Sequence, residues 1–201
     1  MEEAGFFETI VISVITSVLA ENFVFSRAFG VSTMIIAAKS KRNLAGICLG
    51  VVYFTLASAA ATWAVSSTGL LEGVPAAVLP AAYAIIIGLI YVITLLLAYL
   101  FARSKFAKIK KYVHISAFNS AVMGTIFLSA AGCKSIFEYL IFGLCAGMGF
   151  AAASYMLSGV YAQLYSDDLP RAFRGYPAIM IFSGIMAMAV YGVLGHLPSY
   201  V

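Results

Sequence analysis

Of the 201 residues, 63% are apolar and only 10% are charged, and the mean hydropathy is +1.02. Soluble domains carry about 25% charged and about 45–50% apolar residues, so these values argue against a water-soluble globule and for an integral membrane protein. The formal charge of +4 does not describe a nucleic-acid surface: ten of the twelve Lys and Arg fall in three short clusters, Lys39, Lys41 and Arg42; Arg103, Lys105, Lys108, Lys110 and Lys111; Arg171 and Arg174. Such clusters mark cytoplasmic loops of membrane proteins.

A helical crossing needs roughly 20 apolar residues, and six such stretches are predicted in chain order. The first runs from about Phe6 to Ala38 and carries Glu21, Asn22, Ser26, Arg27 and Gly30 in its middle, which a uniform lipid-facing helix would not. The acidic start MEEAGFFE lacks the positive n-region of a secretory signal, so no cleavage is expected. The second stretch, about Leu44 to Val65, contains Gly46 and Gly50 at a spacing that permits close helix approach. The third runs from about Pro80 to Phe101 and is followed by the basic loop RSKFAKIKK. The fourth covers about Tyr112 to Ala131, the fifth about Ile136 to Leu164, and the sixth about Tyr176 to Leu194.

The basic clusters follow spans one, three and five, which places both termini outside and the basic loops in the cytoplasm. Each half of the chain, about 1–102 and 103–201, holds three spans, so any repeat between them is inverted. The expected fold is therefore a single all-α membrane domain of six transmembrane helices in two inverted three-helix halves. A faint internal echo, Asn22 in the first span and Asn119 in the fourth, points to the regions 21–33 and 116–124. Transporters built this way hold their site near the midplane, on interrupted helices, so interruptions are expected in the first and fourth spans.

Charges inside a membrane cost at least about 2.5–3.5 kcal/mol at the bilayer centre unless paired, hydrated or buried in protein, which makes Glu21 and Arg27 candidates for function. Six positions put them about 240° apart around an ideal helix. A direct salt bridge within one helix is not expected: either the helix breaks near Gly30 and Arg27 snorkels toward the cytoplasm, or each finds another partner. Simpler roles cover the other polar residues. Asn119 and Ser120 can hydrogen-bond neighbouring helices, His114 and His196 sit near the interfaces, and Asp167 and Asp168 read as solvated loop charges. Cys48, Cys133 and Cys145 are too scattered for a disulfide framework or a zinc site. No GxSxG elbow, P-loop, HExxH or CxxC pattern is present.

Three segments carry a family resemblance: ENFVFSRAFGVST at 21–33, HISAFNSAVMG at 114–124 and LPRAFRGYPAIMIFSGIMA at 169–187. With the six-span length and loop placement, they make the chain resemble the membrane subunits of the Rnf and Nqr electron-transport complexes over nearly its whole length. The resemblance implies a six-helix protein of inverted halves that pairs with a homologous six-span subunit, or with a second copy of itself. It also implies a buried [2Fe-2S] cluster at the axis between the two, to which each subunit gives two cysteines.

Matched to the family motifs, those cysteines fall on Ser32 and Ser120. Clusters are held by thiolates, and a hydroxyl is far harder to deprotonate than a thiol near pKa 8.5. An ordinary cluster is therefore not expected in this chain. Glu21 stands where the family usually has Asn.

The resulting reading is a membrane subunit of an Rnf/Nqr-type ion-translocating complex, with flavin- and ferredoxin-like redox subunits as partners and Na+ or H+ as the ion. Glu21, Asn22, Arg27, Gly30 and Asn119 form its midplane site or ion path. The alternatives are a repurposed ion or small-molecule transporter on the same scaffold, and a structural assembly subunit.

Overall fold

The computed structural model of the chain describes residues 23–70, 73–75, 77–103 and 106–194. Glu2, Glu3, Glu21, Asn22, Glu72 and His196 lie outside them. Eight helices follow in order: α1 Phe23–Arg27, α2 Val31–Ala38, α3 Lys41–Ser67, α4 Leu79–Phe101, α5 Phe106–Ala117, α6 Ser120–Gly132, α7 Ile136–Val160 and α8 Tyr176–Leu194, with a short 3-10 turn at Gln163–Tyr165. No strand occurs among the described residues.

Three of these helices, α3, α4 and α7, are long and apolar enough to cross a membrane. α5 and α6 qualify as a fourth crossing when taken together, although they meet at a bend of 50°. α8 is apolar but shorter. The described residues are thus helical throughout their regular elements, with three or four candidate membrane spans, and the second, third and sixth predicted stretches match α3, α4 and α8 to within a few residues.

Two boundaries differ from expectation. Much of RSKFAKIKK is helix rather than loop: α5 begins at Phe106, with Lys108, Lys110 and Lys111 exposed while Val113 and Ser116 on the same helix are buried. Long lysine stems let an amphipathic helix start inside a charged segment, because the stem lies along apolar surface while the ammonium stays in water. The fifth predicted stretch is too long by four residues. α7 stops at Val160, and the chain turns through the 3-10 segment instead.

The centre of the molecule is the crossing of α3 and α7, and small residues allow it. A Cβ added at Gly143 would stand 2.8 Å from the Thr55 carbonyl oxygen, and one at Gly147 would stand 2.7 Å from Val52 Cα. Side chains of this size let two backbones approach within a membrane. The predicted Gly46/Gly50 pair also finds a close partner, the N-terminal half of the bent pair: Gly46 faces the Tyr112 ring and Gly50 faces Ser116. That seam is held by the Tyr112 hydroxyl donating to Asn43 Oδ1 at 3.0 Å and by Ser116 Oγ donating to the Ile47 carbonyl at 3.2 Å.

Two apolar cores flank this centre. One gathers Met34, Ile47, Val51, Phe150, Leu157 and Ile179 from α2, α3, α7 and α8; the other gathers Phe54, Tyr83, Ile86, Val113, Val122 and Ile126 from α3 to α6. Several buried hydroxyls bond carbonyls of their own helix, such as Thr62 to Ser58 at 2.7 Å and Thr125 to Ala121 at 2.8 Å. Helix backbones thereby absorb polar atoms that a hydrocarbon environment would penalise. α4 keeps a broad apolar face uncovered, including Leu89, Val92, Ile93 and Leu96, as a lipid-facing helix should.

Candidate functional site

Two helix interruptions face each other across the molecule. In the first, α1 ends at Arg27 and α2 begins at Val31, and the intervening chain turns through two left-handed residues, Ala28 at φ 56° and Gly30 at φ 81°. Gly30 supplies this conformation without steric cost, whereas an L-residue such as Ala28 resists it. No side chain caps α2; Gly30 contributes its carbonyl, which accepts from Met34 N–H at 2.8 Å.

The second interruption is built differently. Phe118 and Asn119 separate α5 from α6, and Asn119 is extended at φ −116° and ψ 132°. Its Oδ1 accepts from the Ala121 N–H at 3.0 Å, which is an N-cap in the ordinary sense. Since that N–H needs an acceptor, the bond settles which end of the amide is oxygen. Nδ2 is then a donor, and it is buried without a hydrogen-bond partner, on a residue only 4% exposed.

One hydrogen bond joins the two interruptions. The Gly30 N–H donates to Ser120 Oγ at 2.8 Å, across 90 residues of sequence. Gly30 is packed so tightly there that a Cβ would stand 2.9 Å from Asn119 Oδ1, 3.1 Å from Ala121 Cβ and 3.2 Å from the Phe150 ring. A second close approach lies alongside, where Gly124 of α6 receives the ring of Phe29.

The structure therefore brings Gly30, Asn119 and Ser120 together, while Glu21 and Asn22 lie outside the described residues. Ser32 lies on the first turn of α2 with its surface exposed, and Ser120 is exposed on its other side. Arg27 ends α1 at the first interruption, exposed and without an ion-pair partner among the described residues, where the only ion pair is Arg174 with Asp167. Sequence reasoning misses Phe29, Ala28 and Phe150. Gly124 falls within a family-like segment, but nothing local names Phe29 as the ring that packs against it.

Two adjoining cavities flank Ser120 and Met123. One, of about 350 Å³, runs along Ile87, Phe118 and Asn119; the other, of about 260 Å³, runs along Arg27, Phe29 and Phe127. The walls are apolar apart from Arg27, Asn119 and Ser120. The three cysteines stand elsewhere, Cys48 on α3, Cys133 at the end of α6 and Cys145 on α7. Among the described residues no three His, Cys, Asp or Glu side chains gather as a metal site would require.

Two residues read as simple loop or interface groups prove to have partners. Asp167 bonds Arg174 at 2.6 Å, and that arginine also reaches the Leu169 carbonyl at 3.4 Å. His114 Nδ1 lies 3.2 Å from the Tyr91 hydroxyl, and its ring meets Phe118 edge-on at the second interruption. The AFRG motif also acquires a local reason: Gly175 is left-handed at φ 82°, its N–H donates to the Leu164 carbonyl at 2.9 Å, and a Cβ there would stand 3.1 Å from the Tyr165 ring.

Comparison with known proteins agrees over nearly the full length. The family model described as "Rnf-Nqr subunit, membrane protein" matches residues 10–197. One relative, from the Na(+)-translocating ferredoxin:NAD(+) oxidoreductase complex of Acetobacterium woodii, is 24% identical, covering 93% of this chain and 97% of its own. Two further relatives, from the ion-translocating oxidoreductase complexes of Erwinia tasmaniensis and Syntrophotalea carbinolica, are 23% and 22% identical, covering 90% and 96% of this chain and 94% and 100% of their own.

Proposed function

The chain belongs to the Rnf-Nqr family of membrane subunits, and on that premise we propose that it is the membrane subunit of an ion-translocating oxidoreductase complex, without an ordinary [2Fe-2S] cluster of its own. The end-to-end likeness to components of such complexes supports the first part. The second part rests on one observation, the Gly30 N–H donating to Ser120 Oγ. At a position where the family carries a thiolate, this chain uses its oxygen to hold two helix interruptions together. The donor set does not fit the group: Ser32 and Ser120 are hydroxyls, and none of the three cysteines lines the cavities flanking Ser120.

The proposed architecture is one domain of six spans in inverted halves. α5 and α6 take the place in the second half that the first stretch, ending in α1 and α2, takes in the first; α3 corresponds to α7 and α4 to α8. The two interruptions and the central α3/α7 crossing support this correspondence. Both termini lie outside, and the basic segments face the cytoplasm. A homologous six-span subunit or a second copy packs around Ser32 and Ser120, and flavin- and ferredoxin-like subunits complete the redox chain. Na+ or H+ crosses near Glu21 and Asn22, with backbone carbonyls freed by the interruptions as further oxygen ligands. Asn119 serves this site by capping α6.

Iron analysis and electron paramagnetic resonance on the anaerobically purified native assembly test the reading. The expected result is redox-driven ion uptake into vesicles with no [2Fe-2S] signal assignable to this subunit. A stoichiometric signal lost in Ser120→Ala would overturn the cluster part. Purification without any redox subunit, and with solute transport intact, would overturn the complex and leave the repurposed transporter.

A further inference from the structure

We propose that a cleft between α3 and α7, at the basic start of α3, binds one anionic phospholipid, with an acyl chain along the cleft and the phosphate on Lys41 and the cations beside it. The site takes from the functional reading only that the basic segments lie at the cytoplasmic surface, and it needs nothing from the redox assignment.

Beyond the tight crossing at Gly143 and Gly147, a cavity of about 460 Å³ opens between the start of α3 and the second half of α7. Ala45 and Cys48 line it on α3, Ala151, Ala152 and Tyr155 line it on α7, and Lys41 stands at its end. The three alanines make it a trough, because they carry nothing past Cβ to fill the space between the helices. Tyr155, 74% exposed, forms an upright wall. The cleft lies on the outside of the helix pair. Phe150, Ala153 and Leu157 of α7 are buried in the core shared with α2, whereas Ala152 and Tyr155 leave the helix on another side. Neither Ser32 nor Ser120 lines it, so it is separate from the surface proposed for the homologous subunit.

Charge selects the occupant. Lys39, Lys41 and Arg42 are all exposed, and none forms an ion pair among the described residues. The three described carboxylates are engaged elsewhere: Glu138 caps the opposite end of α7, Asp167 pairs with Arg174, and Asp168 accepts from Ser166 Oγ at 2.6 Å. The same turn begins a 27-residue helix whose cap residue Ser40 makes no side-chain hydrogen bond, so the helix end adds positive potential at this point. A soluble anion would meet the cations and leave the apolar trough unfilled. A zwitterionic lipid would fill the trough but bring a further cation to the three already there. An anionic phospholipid satisfies both, and basic pockets between membrane helices on the cytoplasmic side hold such head groups.

The test uses the native assembly in phosphatidylcholine nanodiscs doped with phosphatidylglycerol that carries a diazirine on one acyl chain. After irradiation, mass spectrometry of the digested subunit should find crosslinks concentrated in residues 41–49 of α3 and 148–156 of α7, removed by excess unlabelled phosphatidylglycerol. Phosphatidylcholine with the same diazirine chain should label these segments far more weakly. Lys41→Gln should weaken the labelling about fivefold, and Gln at 39, 41 and 42 together by more than about tenfold, whereas Lys41→Arg should leave it unchanged. Ala152→Phe, which fills the trough and keeps every cation, should nearly abolish labelling even if the triple variant fails to insert. Equal labelling by the two lipids, or labelling unchanged in Ala152→Phe or in Lys41→Gln, would overturn the proposal. So would the absence of labelling in the native assembly, which would mean that another subunit covers the cleft. Loss of redox subunits or of ion uptake would count against the function above and leave the expected crosslinks as they are.

Discussion

The two interruptions solve the same problem with different chemistry. Where a helix breaks inside a membrane, the first N–H groups of the new helix lose their partners, and no water is at hand to replace them. At the second interruption the chain solves this locally: Asn119 is extended, and its own side chain caps Ala121. At the first, the backbone turns through left-handed Ala28 and Gly30 and no side chain caps α2. Its stabilising contacts come from the other interruption, through Ser120 Oγ and the close packing of Gly30 against Asn119 and Ala121. One break is self-sufficient and the other is dependent, so damage should spread from the second to the first.

The largest effect should come from Gly30→Ala. The substitution forces an L-residue into φ 81° and drives a methyl group into three buried neighbours; left-handed strain of about 1–2 kcal/mol and overpacking of about 1–3 kcal/mol together predict a loss of about 3 kcal/mol. Denaturant titration of the detergent-solubilised protein measures it, and a loss below about 1 kcal/mol would mean that the dependent break adapts freely. Ser120→Ala comes next. It leaves the Gly30 N–H buried without an acceptor, at a cost of about 1–3 kcal/mol, and hydrogen exchange should speed up at Gly30 although the substitution lies in α6.

Asn119→Ala removes the self-supplied cap and should cost about 1 kcal/mol. Asn119→Ser, which keeps a capping oxygen and discards the partnerless Nδ2, should stay within about 0.5 kcal/mol of wild type. Equal losses in the two variants would show that the amide donor, rather than the cap, is what stabilises the second break. The smallest effect has the opposite sign. Ala28→Gly relieves left-handed strain of about 1–2 kcal/mol, offset in part by the greater freedom glycine has in the unfolded chain, so a gain of about 0.5 kcal/mol is expected by thermal unfolding.

Much of this site is legible in the sequence. A run holding Glu21, Arg27 and Gly30 cannot be a uniform lipid-facing helix, and the break at residues 28–30 follows from the glycine and the charge. Gly46 and Gly50 announce a close helix contact, but not that α5 makes it, because a small-residue stripe is indifferent to which backbone approaches. Asn119 stands out as a polar residue in a span, yet its capping role depends on the chain leaving helical geometry at residues 118–119. The basic segment misleads for a related reason. Charge density alone reads as loop, whereas the periodicity that buries Val113 and Ser116 while exposing Lys110 and Lys111 is what makes it helix.

Composition and hydropathy determined the membrane class, the positions of α3, α4 and α8, and the two segments worth attention, because transfer from water to hydrocarbon is nearly a sum over local residues. The tertiary structure alone decided that Gly30 meets Ser120, that Phe29 fills the space at Gly124, and that Asn119 turns its oxygen toward α6 and leaves its nitrogen unpartnered. The first two pairings join residues some 90 positions apart. They depend on how whole helices pack, and no local sum of transfer energies contains that information.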